Sequence, residues 1–140
     1  MREIPGRSVD FLWSHAVLEH VRLGEFLDTL QELRRVIRPD GICSHRVDLM
    51  DHLCCELNNL RFPEDLWESD FFARSGFYTN RIRHSEMLDL FREAGFSPEV
   101  VRIDRWERLP TPLAKMAMKY RGLGEDELRI FAFDVILRPL

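Results

Sequence analysis

The chain has 140 residues, and its 45% hydrophobic and 11% aromatic content suffices for the core of one domain and excludes wholesale disorder. Twenty basic against 24 acidic residues give a formal net charge of −4, which predicts no binding to nucleic acid. No apolar run reaches the roughly 18 residues that span a bilayer, so no membrane span is expected. The three cysteines, two of them adjacent, form a poor disulfide framework. Together with the lack of a signal-peptide core, they predict a cytoplasmic protein.

Two strands and a helix are predicted in the first part of the chain. Residues 9–14 form a short, mostly apolar run after a Pro-Gly turn, which is typical of a buried strand. Apolar side chains recur at helical spacing over residues 24–38, and residues 39–41, Pro-Asp-Gly, are expected to end this helix and turn the chain. Residues 42–49 alternate imperfectly and are predicted to form a second strand. These elements make a βαβ unit, whose crossover is expected to be right-handed.

The middle of the chain, residues 51–83, has a weaker pattern and is predicted to be an inserted segment of helices and loops. Leu53, Leu57 and Leu60 share one helical face, and Pro63 is expected to begin a further short helix. Aromatic side chains of this segment are predicted to lie in the core or in a pocket wall. They are Trp67, Phe71, Phe72 and Phe77.

The last part of the chain alternates between helices and strands. A helix is predicted with Ser85 as its N-cap and Gly95 at its end, and a strand over residues 99–107 follows. A further helix over residues 111–121 and a final strand over residues 129–137 complete the pattern. No internal repeat or linker divides the sequence, so residues 1–140 are expected to form one unit of organisation.

Two consecutive stretches of sequence, SVDFLWSHAVLEHV and EFLDTLQELRRVIRPDG, resemble the second half of a class I S-adenosylmethionine-dependent methyltransferase. In that family a strand ends in a short polar segment, a His-containing turn follows, and a helix leads to a turn of the type Arg-Val-Leu-Lys-Pro-Gly-Gly. Residues 35–41 correspond to this turn, with Asp40 in place of a glycine. The resemblance implies an α/β fold with a three-layer Rossmann-like sheet, mostly parallel with an antiparallel terminal strand.

The family's first half has no counterpart in the sequence. In the family, a glycine-rich loop lets the backbone approach the cofactor and an acidic residue holds the ribose, whereas the seven glycines of this chain never cluster. The resemblance therefore implies a truncated domain, the C-terminal half, that begins in a loop before the family's fourth strand. S-adenosylmethionine is the implied cofactor of the complete enzyme, and weak or no binding is expected for this chain alone.

A short segment at the carboxyl end of the first predicted strand lies at the edge where open α/β sheets bind ligands. It consists of the polar residues Ser14 and His15 followed by Ala16. The resemblance implies that this segment lies beside the methionine portion of the cofactor, with Glu19 and His20 just behind it. A polar strand-to-helix turn without a ligand accounts for the same residues, and both interpretations stay open at this point.

A second polar cluster lies at the end of the second predicted strand, over residues 44–52. Imidazole and carboxylate groups serve as metal ligands or as general bases. His45 and Asp48 point to opposite faces of a strand, and no HxxxH or HxxE pair is present, so we expect no metal site. Asp48 and Asp51 are predicted to bind substrate. His52 is the predicted catalytic base, because imidazole accepts a proton near neutral pH.

Residues 76–83 combine aromatic, amide and guanidinium groups that suit a substrate wall or lid. Tyr78, Asn80 and Arg81 are predicted to bind substrate, with Arg81 or Arg83 suited to a carboxylate or phosphate. A surface loop that caps the following helix is the alternative. The adjacent thiols Cys54 and Cys55 have no basic activator nearby in sequence and are predicted to be buried.

Two functions from different classes remain. The resemblance implies transfer of a methyl group from S-adenosylmethionine to a small-molecule, sugar or lipid-linked acceptor. The alternative is a non-catalytic α/β fragment that associates through an exposed sheet edge, with itself or with a separate N-terminal chain. Without the family's earlier strands, residues 9–14 would form such an edge beside apolar Phe11 and Trp13, which predicts self-association through residues 9–14.

Overall fold

The computed structural model describes residues 3–140, and Met1 and Arg2 lie outside the described residues. A mixed four-stranded sheet has the order β1-β2-β4-β3. Its strands are β1 (Val9–His15), β2 (Ile37–Asp48), β3 (Phe96–Arg105) and β4 (Ile130–Pro139). β1 and β2 are parallel, and β4 lies antiparallel between β2 and β3. The α/β fold with an antiparallel terminal strand is therefore confirmed.

Helices and short turns of 3₁₀-helix connect these strands. The α-helices are α1 (Phe26–Val36), α2 (Glu64–Trp67), α3 (Asp70–Ala73), α4 (His84–Glu93), α5 (Met118–Arg121) and α6 (Glu125–Leu128). The 3₁₀-helices are Leu18–His20, Leu23–Glu25, Asn58–Arg61 and Leu113–Lys115. Over residues 3–140, no helix has both the length and the apolar character required to cross a membrane.

The main core lies between one face of the sheet and the helices α1 and α4. Its helical side chains include Phe26, Leu30 and Phe91, and these pack with inward-facing residues of β2 and β4 such as Val47 and Val135. Such spacing follows the 3.6-residue period in the helices and the two-residue period in the strands. The opposite face of β1 is uncovered, since its apolar side chains, Phe11 and Trp13, are 61% and 65% exposed.

The junction between α1 and β2 differs from the prediction. The helix ends at Val36 instead of residue 38, and the chain enters β2 directly at Ile37, whose ψ of 141° is extended. Residues 39–41 lie inside β2. The pair of Val9 with Ile37 is followed by the pair of Phe11 with Ile42, so β2 contains three more residues than β1 over this stretch. Pro39 has no N–H for the ladder, so this Pro-Asp-Gly segment forms a bulge and does not form the predicted turn.

The segment between β2 and α4 also differs from the prediction. Leu53 is 43% exposed and belongs to no helix, so the common helical face with Leu57 and Leu60 is wrong. Leu57 and Leu60 instead form a second apolar cluster with residues from the C-terminal part of the chain, namely Met116, Tyr120 and Leu128. The predicted start of a short helix at Pro63 is confirmed, because Pro63 is the N-cap of α2.

Two further boundaries in the C-terminal part need correction. The N-cap of α4 is Arg83, and Ser85 lies in the first turn, where its hydroxyl donates to Glu127 Oε1 at 2.8 Å. The predicted helix over residues 111–121 is broken at Met116, whose ψ of 155° is extended. Gly95 ends α4 with a φ of +87°, a left-handed conformation that favours glycine, as predicted.

Gly41 is required by the close approach of β1 to the bulge of β2. A Cβ atom at this position would lie 2.9 Å from the Asp10 carbonyl oxygen and 2.9 Å from Ile37 Cγ1. We expect Gly41→Ala to lower the free energy of unfolding by about 1–3 kcal/mol, because backbone or core must shift to admit the methyl group.

Urea denaturation followed by far-ultraviolet circular dichroism measures this loss of stability. Gly122→Ala is the matched control, because nothing lies within 4 Å of a Cβ atom at Gly122. Its unfolding free energy should stay within about 0.5 kcal/mol of the parent chain. Equal effects of the two substitutions would contradict the close packing of the bulge.

Candidate functional site

The carboxyl ends of β1 and β2 lie side by side because the two strands are parallel. Ser14 Oγ lies 2.7 Å from His45 Nδ1, a hydrogen bond that joins the ends of the two strands. The turn that follows is strained, since Ala16 has a φ of +52°. Such a conformation costs a non-glycine residue about 1–2 kcal/mol and occurs often at functional sites. The His15 side chain at this end of β1 is exposed.

Three potential ligand residues converge just beyond these strand ends. Glu19 and His20 follow β1, and His52 follows β2; one ligand atom from each lies within 4.8 Å of the others. The rings of His20 and His52 meet edge to face, with their centroids 4.8 Å apart. The structure thus brings the residues predicted to lie near the cofactor next to the predicted base.

Glu19 has the most unusual environment in this group. Its side chain is 2% exposed, and neither carboxylate oxygen has a hydrogen-bond partner among the described residues. Burial raises the pKa of the Glu19 carboxyl to about 7, and the charge of Asp48 acts in the same direction. A carboxyl group with this pKa can give or accept a proton near neutral pH.

Backbone contacts hold His20 in place. Its Nδ1 lies 3.0 Å from the Tyr78 carbonyl oxygen. A carbonyl oxygen only accepts hydrogen bonds, so Nδ1 carries the proton in the neutral ring and the lone pair lies on Nε2. The exposed Nε2 side of His20 is therefore the side available to a ligand.

Asn80 holds the loop that carries Glu19 and His20. Its backbone N–H donates to the Glu19 carbonyl oxygen at 2.7 Å. Its side-chain amide donates to the carbonyl oxygens of Leu18 at 2.9 Å and Val21 at 3.0 Å. The substrate contact predicted for Asn80 stays a prediction, while its amide is engaged in positioning the site.

Asp51 likewise stabilises a loop, the one that carries His52. Its carboxylate accepts hydrogen bonds from the backbone N–H groups of Leu53, Cys54 and Asn58. Although burial acts to raise it, these hydrogen bonds lower the pKa of Asp51 below its ordinary value. The loop so formed leaves His52 exposed. The predicted substrate role of Asp51 stays a prediction.

Arg81 and Tyr78 have internal partners as well. Arg81 is 4% exposed and donates to the carbonyl oxygens of Asn59 and Phe62. The Tyr78 hydroxyl donates to the Glu68 carboxylate, and burial raises the pKa of Tyr78 to about 12. The substrate contacts predicted for Arg81 and Tyr78 stay predictions, because these polar groups bind within the fold.

Two further sequence predictions are settled by burial. Cys54 and Cys55 are exposed, so the prediction of buried thiols is wrong. The Asp51 carboxylate accepts hydrogen bonds from the backbone N–H groups of Leu53 and Cys54, which hold this loop in its exposed conformation. Trp67 is fully buried in an aromatic cluster with Phe72 and other rings, which confirms the core assignment, whereas Phe71 is 78% exposed.

Comparison with known proteins agrees with this architecture. Residues 1–45 match a family model described as a methyltransferase domain. The structure matches an S-adenosylmethionine-dependent methyltransferase from Methanosarcina mazei with a TM-score of 0.63 and 17% identity, over 99% of this chain and 62% of that chain. The chain has the fold of a class I S-adenosylmethionine-dependent methyltransferase. The family resemblance inferred from the sequence is confirmed at this level.

Two other methyltransferase structures are similar over nearly the whole chain. One is in a complex of the Haloferax volcanii Trm112 methyltransferase activator with a methyltransferase, at 17% identity and a TM-score of 0.52, covering 98% of this chain and 56% of that one. The other is Haemonchus contortus phosphoethanolamine N-methyltransferase 2 in complex with S-adenosyl-L-methionine. It has 11% identity and a TM-score of 0.54, and the match covers 99% of this chain and 35% of that chain. The chain thus spans about a third to three fifths of these methyltransferases. No curated protein matches the sequence.

The sequence prediction missed His45 as a buried link between the strands of the site. His45 is 1% exposed, and burial lowers its pKa from 6.5 to about 4. Above pH 6.5 the ring is neutral in both the folded and the unfolded chain. As the pH falls towards 4, the unfolded chain takes up the proton first, so stability is lost.

We expect the chain to lose about 2 kcal/mol of unfolding free energy through His45 between about pH 7 and about pH 5. Urea denaturation at the two pH values, compared between the parent chain and His45→Gln, isolates this contribution. His15→Gln is the control, because His15 is exposed. The same pH dependence in the parent chain and in His45→Gln would contradict the burial of a neutral imidazole.

Proposed function

We propose that this chain forms the acceptor-side half of an S-adenosylmethionine-dependent methyltransferase domain. The observation that carries the proposal is the convergence of the segment after β1 with His52 after β2. In open α/β sheets, ligands bind at the carboxyl ends of the strands, where these residues lie. The acceptor is a small molecule, a sugar or a lipid-linked compound, and the proposed location of the protein is the cytoplasm.

The residues present fit one side of a pocket for S-adenosylmethionine. Ser14, His15 and the strained turn at Ala16 lie at the carboxyl end of β1, and the outer edge of β1 has no strand partner within residues 3–140. A nucleoside and amino acid portion can approach this end from the uncovered side. The cofactor supplies the activated methyl group, so this chain need not supply a covalent nucleophile.

Residues of this chain orient the acceptor and remove its proton. An acceptor hydroxyl or amine loses a proton as it attacks the methyl group in line, and a neighbouring base assists this step. His52 is exposed at the strand ends and is the proposed base. Glu19, close to His52, is positioned to exchange a proton with it.

Cofactor binding tests the proposal directly. Titration calorimetry with S-adenosylmethionine should give weak or no binding to the 140-residue chain, because the glycine-rich loop and the ribose-binding acid are missing from it. A longer polypeptide in which a glycine-rich loop and an acidic strand end precede this chain should bind the cofactor. Failure of such a polypeptide to bind S-adenosylmethionine would favour the non-catalytic alternative.

In a cofactor-binding polypeptide that contains this chain, His52→Ala should lower kcat by about 10²–10⁴-fold, the usual contribution of a general base. The KM for S-adenosylmethionine should change little. His15→Ala is the matched comparison and should raise that KM more than it lowers kcat, because His15 lies at the proposed cofactor side. Steady-state methyl-transfer kinetics measure both effects, and an unchanged kcat in His52→Ala would remove the proposed base.

A second candidate function, self-association, rests on the uncovered surface of β1. Residues 7 and 8 bond to the carbonyl oxygens of Arg35 and Val36, beside the start of β2, and so do not cover the outer edge of β1. Exposed Phe11 and Trp13 adjoin this edge. Unpaired strand edges next to apolar side chains favour pairing with another chain, and a second copy of this chain is the proposed partner.

Sedimentation velocity over a range of concentrations should therefore reveal dimers or larger species of the isolated chain. Trp13→Lys should shift the distribution towards monomer, because a lysine on a strand edge opposes edge-to-edge pairing. Phe71→Lys is the control, since Phe71 is also an exposed aromatic residue but belongs to α3 instead of β1. A monodisperse monomer at high concentration would contradict self-association through residues 9–14.

A further inference from the structure

The Glu19 carboxylate is buried without the hydrogen bonds that ordinarily stabilise such a group, as far as residues 3–140 show. Both of its carboxylate oxygens are buried and neither accepts a hydrogen bond of normal geometry within residues 3–140, although the backbone N–H groups of Glu19 and Asp48 lie near enough to act against the rise in its pKa. Protonation would remove the charge but would leave one hydroxyl donor and one carbonyl acceptor unpaired. A buried polar group without partners is costly, and buried carboxylates are ordinarily paired or bound to a cation.

Two imidazole groups supply the complementary ligands. Donor atoms of Glu19, His20 and His52 already lie within 4.8 Å of one another. A metal bonded to each at about 2.1 Å would bring these atoms about 3.4 Å apart. His52 is exposed, so rotation of its side chain can bring its ligand atom closer to the other two without disturbing the core.

The orientation of His20 suits a metal ligand. Its Nδ1–H donates to the Tyr78 carbonyl oxygen, which fixes the ring and leaves the Nε2 lone pair free. Metal-bound histidines ordinarily have such a second hydrogen bond to a carbonyl or carboxylate. The tether of Asn80 to the Glu19 carbonyl oxygen further holds this loop against residues 78–80.

We infer that Glu19, His20 and His52 form a binding site for a divalent first-row transition-metal ion, with Zn²⁺ as the representative ion. Two imidazoles and one carboxylate are a ligand set that Zn²⁺ and related ions accept, whereas Mg²⁺ prefers oxygen ligands alone. Three protein ligands leave at least one coordination position open. An oxygen atom of a bound small molecule can occupy that position at the carboxyl ends of β1 and β2.

Metal binding and proton acceptance exclude each other at one nitrogen atom of His52. His52 therefore acts as a base only in the metal-free protein. The inference concerns metal binding by the chain itself and does not require methyl transfer. A direct binding measurement thus separates its failure from a failure of the proposed methyltransferase function.

The experiment is a Co²⁺ and Zn²⁺ titration of the full 140-residue chain in a Cys54→Ser/Cys55→Ser background. The substitutions are needed because these exposed thiols lie next to His52 and bind the same ions. Visible d–d absorption reports Co²⁺ binding, and displacement of Co²⁺ reports Zn²⁺. We expect one ion per chain, and millimolar Mg²⁺ should not displace Co²⁺.

Variants of the ligands decide the assignment. Glu19→Gln and His52→Ala should each weaken Co²⁺ binding by about 100-fold or more, since even an outer partner of a metal ligand contributes about 10–100-fold. His15→Ala, an exposed histidine outside the cluster, should bind as the parent does. Far-ultraviolet circular dichroism checks folding. If buried Glu19→Gln fails to fold, His20→Ala and His52→Ala, both at exposed positions, decide the matter.

The inference is overturned by any of three results. No Co²⁺ binds in the serine background, or binding is unchanged in His52→Ala, or Mg²⁺ displaces Co²⁺ as readily as Zn²⁺ does. The first result would assign any metal binding of the parent chain to the cysteines. The second would place the ion elsewhere, and the third would contradict a nitrogen-rich ligand set.

Discussion

The site depends on one constraint: buried backbone groups need hydrogen-bond partners even where the chain has no regular secondary structure. Around the segment between β2 and α4, many of these partners are side chains. Asn80 binds the carbonyl oxygens of Leu18 and Val21, and fully buried Arg83 binds those of Leu49, Leu128 and Ile130. Asn80 and Arg83 therefore join the loop after β1, the end of β2 and the start of β4.

This arrangement gives two adjacent regions of the molecule different properties. Around residues 78–83, buried polar side chains donate to backbone carbonyl oxygens, and removal of one would leave several of these carbonyl groups without donors. Beside them, His20 and His52 are exposed while Glu19 is buried without a donor. Binding and catalytic sites are typically built in this way, with a few polar groups that lack partners held by a rigid, hydrogen-bonded framework.

The periodic elements could be predicted because their local pattern agrees with their packing. The helix that ends at Gly95 follows this rule. The strand at residues 9–14 forms as predicted, but none of its residues is buried, so the prediction of a buried strand is wrong. Leu53, Leu57 and Leu60 have helical spacing, yet Asp51 bonds to the backbone of their loop and Leu57 and Leu60 pack against distant residues instead. Tertiary contacts thus override local spacing where hydrogen bonds from side chains compete with the helix.

The sequence by itself determined the βαβ unit, the methyltransferase fold and the location of polar residues at the strand ends. Only the tertiary structure decided which of these residues meet. Glu19 and His20 are separated from His52 by more than a strand and a helix, so no local spacing such as HxxxH could reveal their convergence. Parallel pairing of β1 with β2 places both strand ends at one edge, and Asn80 then fixes the loop between them. Burial of the Glu19 carboxylate is likewise a property of the packed chain, because it depends on neighbours from segments far apart in sequence.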